Sequence, residues 1–290
     1  MGMPETVRVC VFAMLFLGTA APIGVRAQDR TGPDAGDPSE TPARAQDGAP
    51  KLPVLVLLLG GGARFRNIRL EVGNRSGGTE QRSFDTGAYF AFGWHVLVRP
   101  MARRVAKPSV QAIVFQIDGA SGIGLNVEPV GTGISLQTNT WGLLGQFGYL
   151  YPIDRLQVGG LVGVGGDVLR IDLNSVLPSS TIVYARVGPA VAYDIVPSTL
   201  FFRADVGLRI PFVLDQLDEA FGRDSSGIGL DAAATLGGRL DRGFTYALRF
   251  VWTYYHLQFS GPTMNVPAMG DGGSGKDNAL SLQLLLGWSL

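Results

Sequence analysis

Phe84-Asp85-Thr86-Gly87-Ala88-Tyr89-Phe90-Ala91-Phe92-Gly93-Trp94-His95-Val96-Leu97-Val98-Arg99 is the stretch whose reading decides the fold. At a period of two, Phe84, Thr86, Ala88, Phe90, Phe92, Trp94, Val96 and Val98 share one set of positions. Asp85, Gly87, Tyr89, Gly93, His95 and Arg99 share the other. Side chains alternate across a strand, so the spacing predicts a strand with one apolar, aromatic face and one small or polar face. Leu200–Leu214 repeats the pattern, with Leu200, Phe202, Ala204, Val206, Leu208, Ile210, Phe212 and Leu214 opposite Arg203, Asp205, Gly207 and Arg209. So does Ala279–Leu290, with Leu280, Leu282, Leu284, Leu286, Trp288 and Leu290 opposite Ser281, Gln283, Gly287 and Ser289.

Working outward, strands are expected at 54–70, 84–99, 109–118, 134–151, 156–173, 181–196, 200–214, 227–240, 243–258 and 279–290; the first and third alternate poorly. Most exceed the roughly 5–6 residues usual in globular sheets and suit tilted spans of about 9–11 residues plus extensions. The connections alternate in length. Pro152–Arg155, Pro197–Thr199 and Asp241-Arg242 are tight, whereas 71–83, 119–133 and 259–278 are long. Short turns on one side and long loops on the other are the habit of membrane barrels.

Composition agrees. Of 290 residues 41 are glycine, while charged residues make up 17%, a mixture that suits a β protein. The glycines gather on the polar face, at Gly87, Gly93, Gly142, Gly148, Gly159, Gly163, Gly165, Gly207, Gly229, Gly237 and Gly287. Facing water in a soluble sandwich they would gain little. In a narrow closed barrel they make room for large lumen side chains. The formal net charge of zero gives no reason to expect nucleic acid as a partner.

Residues 1–27 read as a signal peptide: Arg8 starts it, Val9 to Leu17 is its apolar core, and Val25-Arg26-Ala27 resembles an A-x-A cleavage site. Two glycines and a proline between Val9 and Val25 argue against a membrane helix. Cys10, the single cysteine, lies inside this segment, so the processed chain would hold no disulfide and no thiolate metal site. Residues 28–51 lack large apolar side chains and read as a disordered periplasmic tail. Residues 52–290 would form the barrel.

On these patterns the chain resembles the Gram-negative outer-membrane β-barrel proteins as a broad class, here as an all-β, closed, antiparallel, up-and-down transmembrane barrel of about ten strands. The resemblance implies outer-membrane lipids as neighbours and localisation in that membrane. It also implies recognition of the closing strand by the barrel-assembly machinery; the aromatic residue of that strand stands at Trp288, two before Leu290. Two aromatic girdles are expected: Tyr149, Tyr151, Tyr193, Phe244, Tyr246 and Trp288 toward the short turns, and Trp141, Trp252 and Tyr254 toward the long loops.

The polar face carries Asp167, Arg186, Asp194, Arg203, Asp205, Arg209, Asp231, Arg239 and Arg249. Buried charges persist when paired, and counting along neighbouring strands matches Asp167 with Arg186, Arg209 with Asp231, and Asp194 with Arg203. The expectation is a largely filled, salt-bridged lumen serving envelope structure, surface binding or limited passage of small solutes. A porin-like polar path is the sharper version of the same face. An outer-membrane hydrolase is the rival. Omptin-like proteases also use ten strands but carry their acidic and histidine residues at the external rim, whereas His95 falls near the periplasmic end. His256 near Ser260 would serve a lipid deacylase only if an acid oriented the histidine. A third reading is an adhesin using 119–133 and 259–278, with a surface ligand there. Gly159–Gly166 lacks the helix a dinucleotide loop requires, and the basic turn 100–108 faces either headgroups or water. No catalytic residue, metal or cofactor is singled out.

Overall fold

The computed structural model describes residues 52–73, 78–103, 107–127, 136–172, 178–261 and 272–290. The expected signal peptide and tail, residues 1–51, lie outside them, as do 128–135 and 262–271 of the long connections. The strands are β1 (Leu55–Gly73), β2 (Thr79–Asp85), β3 (Tyr89–Val98), β4 (Ile113–Val127), β5 (Leu136–Ile153), β6 (Leu156–Ile171), β7 (Ser180–Val196), β8 (Leu200–Val213), β9 (Ser226–Arg239), β10 (Phe244–Phe259) and β11 (Gly273–Ser289). Apart from β2 and β3, which both pair with β1, each pairs antiparallel with its sequence neighbour, and β11 returns to β1 in register from Val56↔Ser289 to Val72↔Gly273. The sheet is therefore closed.

Both β2 and β3 pair with β1, and together they make one stave, so the ring has ten. Between the pairs Arg64↔Tyr89 and Asn67↔Asp85, β1 supplies Phe65 and Arg66 while the other stave supplies Thr86, Gly87 and Ala88. The extra residue is a bulge. Gly87 takes φ +57° there, and the Thr86 hydroxyl accepts from Arg66 N at 2.9 Å in place of a ladder bond. One added residue reverses the alternation. Phe84 and Thr86 thus face inward and are buried, not outward with Phe90 and Phe92 as one unbroken alternation predicts.

Other boundaries move as well. β1 runs on to Gly73 and keeps its alternation, and β11 begins at Gly273 rather than 279. Residues 108–111 form a helical turn, α1 (Pro108–Gln111), because proline removes an N–H and fixes φ at a helix start. β4 then spans 113–127, so residues 119–127 of the expected long loop are strand. Leu214 turns inward at the end of β8.

The outer face is apolar: Val206, Ile210, Leu248 and Leu284 are exposed, as are Trp141, Tyr149, Tyr151, Tyr193, Tyr246 and Trp288 of the expected girdles. Phe244 packs edge-on to Trp288 at 5.6 Å, and Trp252 stacks on Tyr254 at 6.3 Å. Inside, toward the long loops, Ile68, Leu70, Phe84, Leu169, Ile182, Leu257 and Phe259 form a buried cluster. A short helix in the β8–β9 connection, α2 (Gln216–Phe221), is tucked into that cluster through Leu217, Ala220 and Phe221. Toward the short turns, Val56, Leu58, Leu97, Ala247 and Leu285 form a second apolar group.

Two outcomes follow. Val206→Arg should lower stability by about 2–4 kcal/mol in a bilayer, while Gln258→Arg, exposed at the long-loop end of β10, should change it little; urea unfolding in lipid vesicles reads both. In α2, burial raises the Asp218 carboxyl above its ordinary value, Asp215 and Glu219 adding to the effect against a hydrogen bond from Ser225. The neutral form therefore suits the docked helix. Docking is fullest below the ordinary carboxylate pKa and weakens as pH rises through the raised one. Hydrogen-exchange protection factors across 216–221 should be higher at pH 4 than at pH 7, and Asp218→Asn should remove the difference.

Candidate functional site

The middle of the lumen is a layer of charge. Alternation within β7, β8, β9 and β10 turns Arg186, Asp205, Arg209, Asp231, Arg249 and Tyr255 inward, and each is buried. Small residues seat the large ones: a Cβ on Gly207 would collide with the Arg186 guanidinium, on Gly165 with Tyr184, and on Gly229 with Tyr255.

Asp231 is the hub. It accepts from Arg186 Nε at 2.9 Å, from Arg186 Nη2 at 2.6 Å, and from Arg209 Nε. Arg186 Nη2 also donates to Asp205 at 2.5 Å. Arg209 Nη1 reaches Asp167 and the Tyr255 hydroxyl, each at 2.8 Å, and Tyr255 itself donates to Asp167 at 2.7 Å. The Arg209 guanidinium lies 4.3 Å from the Tyr184 ring centroid, a cation–π contact. A second group joins Arg249 and His95 to Asp118, with His95 Nδ1 at 2.6 Å from the carboxylate. Donation from Nδ1 leaves His95 Nε2 as the acceptor that faces Arg203 Nη1 at 3.4 Å. At the closing seam, Arg66 grips Asp277 with two bonds, at 3.0 and 2.5 Å.

Arg209–Asp231, Arg186–Asp205 and Arg66–Asp277 join neighbouring staves, but others run across the barrel. β10 and β4 are separated by β11, β1 and β3 on one side and by five strands on the other, so Arg249–Asp118 spans the lumen. Tyr255–Asp167 links β10 to β6, again nearly opposite. What remains open among them is a cavity of about 100 Å³, lined by charged residues such as Arg186 and Arg249 and by apolar ones such as Leu143, Ala232 and Val251. Its volume suits a few water molecules more than a solute in transit.

Each of the nine expected lumen charges lies on the inner face; Arg209 pairs with Asp231 as expected, and the other two pairings differ. Asp167 meets Arg209 instead of Arg186, because the bond spans from β8 back to β6. Asp194 lies 3.7 Å from Arg239 instead of pairing with Arg203. Asp118, Arg66, Asp277, Tyr184 and Tyr255 belong to the interior although sequence reasoning passed over them. The signal existed for Asp277, which keeps phase with Ser281 and Gln283 once β11 is extended.

The rival sites do not assemble. His256 lies on the outward-facing set of β10, and the Ser260 hydroxyl donates to the Asp224 carbonyl at 2.8 Å. His95 is buried under arginines. Gly159–Gly166 is strand within β6. Among the described residues no group of three or more His, Cys, Asp or Glu side chains could hold a metal ion.

The Arg66–Asp277 pair makes the coupling measurable, since among the described residues neither partner shares its ion pair with a third charge. Asp277→Ala should cost about 3–5 kcal/mol by stranding the guanidinium. Arg66→Met with Asp277→Ala should recover most of it, and a double-mutant cycle in urea reads the difference.

No protein-family model and no curated protein matches the chain. Among solved structures it is similar to the outer membrane protease OmpT of Escherichia coli, at 10% identity and TM-score 0.49, over 81% of this chain and 96% of that one. It is also similar to a Pseudomonas aeruginosa FadL homologue, at 8% and 0.28 over 80% and 90%, and to a mutant of the TodX monoaromatic hydrocarbon channel, at 7% and 0.29 over 81% and 90%. The fold assignment stands on geometry instead. Ten antiparallel staves closed on themselves, with an apolar and aromatic outer face, make this chain a transmembrane β-barrel of the outer-membrane type.

Proposed function

We propose that the protein is a plugged, integral barrel of the outer membrane, exported through residues 1–27, whose interior serves rigidity rather than bulk permeation. The observation that carries this reading is the set of ion pairs crossing the lumen, Arg249–Asp118 above all, between two apolar layers. Such pairs hold their geometry only while water is largely excluded, and an open pore would hydrate and loosen them. Contact with lipid falls to the outer face, and contact with external ligands falls to the segments at the long-loop end. The reading assigns no catalytic residue, because the one histidine–aspartate pair among the described residues, His95–Asp118, is enclosed by Arg249 and Arg203.

Planar-bilayer recording of the purified full chain is the test. The expected trace shows no steady large-pore current. Stable, long-lived open levels in the unmodified protein would overturn the plugged barrel. Asp231→Ala should lose stability and stay silent. A stable Asp231→Ala protein whose currents turn more anion-selective would instead support a water-lined path.

A further inference from the structure

Below the paired layer the lumen holds three arginines with one ion pair among them, Arg239–Asp194. Arg99 follows β3 directly, Arg203 lies near the start of β8, and Arg239 ends β9, so all three belong to the short-turn end. Arg99 is 1% exposed. Its Nη2 donates to Gln157 at 2.6 Å, while its Nε and Nη1 are buried and have no hydrogen-bond partner among the described residues. The Nε atoms of Arg203 and Arg239 are buried and unpartnered too.

The counter-charge is thin. Asp194 stands 3.7 Å from Arg239 Nη1, and the Arg239 guanidinium otherwise rests 4.9 Å from the Phe201 ring centroid. Asp118 and Asp205 act on Arg203 from a distance, but they are bonded to Arg249 and Arg186. Burial, and then the charges of Arg203 and Arg239, hold the Arg99 guanidinium well below its ordinary value, with Asp194 acting in the opposite sense.

Guanidinium groups stay protonated in proteins, so this cluster does not shed its surplus by losing protons. Buried charge in excess requires a counter-ion. Four unpartnered N–H groups on three forked side chains fit the several acceptor oxygens of a tetrahedral oxyanion. Arg203 and Arg239 keep partial exposure at the short-turn side. Arg103, Lys107, Arg155 and Arg242 are exposed on the surrounding turns, with Asp154 as an exposed acid among them. A field of that sign concentrates anions at the mouth.

We propose that Arg99, Arg203 and Arg239 form a binding site for a phosphate-type oxyanion at the short-turn mouth of the barrel. Asp194 is its positioning residue, holding Arg239 toward the other two. The same chemistry is offered by inorganic phosphate and by the phosphate of a phospholipid headgroup in the adjoining leaflet.

The test uses the full chain in dodecyl maltoside micelles and follows thermal unfolding. One arm titrates sodium phosphate at constant ionic strength set by sodium chloride. The other adds phosphatidylglycerol, or diacylglycerol, which lacks the phosphate. A saturable rise of the unfolding midpoint with phosphate identifies a free anion as ligand, and a rise with phosphatidylglycerol alone identifies the headgroup; either supports the site. Arg239→Gln should raise the half-saturating concentration by about tenfold, the loss of one charge-assisted bond. Arg223→Gln, exposed at the long-loop end in the β8–β9 connection, should leave it within about twofold of the unmodified value. Arg203→Lys keeps the charge but loses the fork, and gives the same readout if Arg239→Gln fails to assemble. No saturable response to either probe, or a response that Arg239→Gln and Arg203→Lys leave unchanged, would overturn the proposal.

Discussion

A backbone N–H or C=O left unpaired in hydrocarbon costs several kcal/mol, and everything in this molecule follows from that cost. A sheet meets it only by closing, which is what the β1–β11 register does along nearly the whole of both strands. Closure fixes which face looks outward. From then on every residue of a stave is assigned to lipid or lumen by parity alone, and the composition of the two faces becomes a consequence of the solvent each one meets.

The lumen of so narrow a ring must be filled, and it is filled in two ways. Toward its ends, aliphatic and aromatic side chains pack as they would in a soluble core, α2 adding three residues from outside the sheet. In the middle, arginine and aspartate take over, and glycines on the facing staves give the long side chains their space. The ion pairs replace lost hydration only because most partners accept or donate several bonds at once, as Asp231 does for Arg186 and Arg209. Where that arithmetic fails, at Arg99, the interior is left with surplus charge.

Much of the fold was legible from parity. Staves such as β8, and the last part of β11, alternate so regularly that their inner and outer residues could be named from the sequence. The bulge at 86–88 was not legible, because an unbroken alternation and a phase reversal are both compatible with Asp85-Thr86-Gly87-Ala88 until the partner strand is known. The continuation of β4 past Asp118 was hidden by Gly119-Ala120-Ser121-Gly122, which reads as a loop by composition but is held as strand by β3 and β5. Partners in the lumen were legible only in part, for a geometric reason. Counting heights on adjacent strands finds neighbours along the wall, as it does for Arg209 and Asp231, but not the bonds that skip a stave or cross the bore, such as Arg209–Asp167 and Arg249–Asp118. α2 was missed because a short amphipathic turn inside a loop carries little periodicity.

The lumen pairs also constrain the order in which the barrel can be made. Arg66 and Asp277 are 211 positions apart in the chain, and Asp118 and Arg249 are 131 apart. Contacts of such separation are slow to form and come late. Until the last two strands arrive, half of each pair has no partner, so a partly built sheet must keep its inner face wet. Expulsion of water and mating of the charges then become a single event, coincident with the meeting of the first and last strands. Assembly of this barrel should therefore end in one cooperative step, in which the seam closes and the interior dries together.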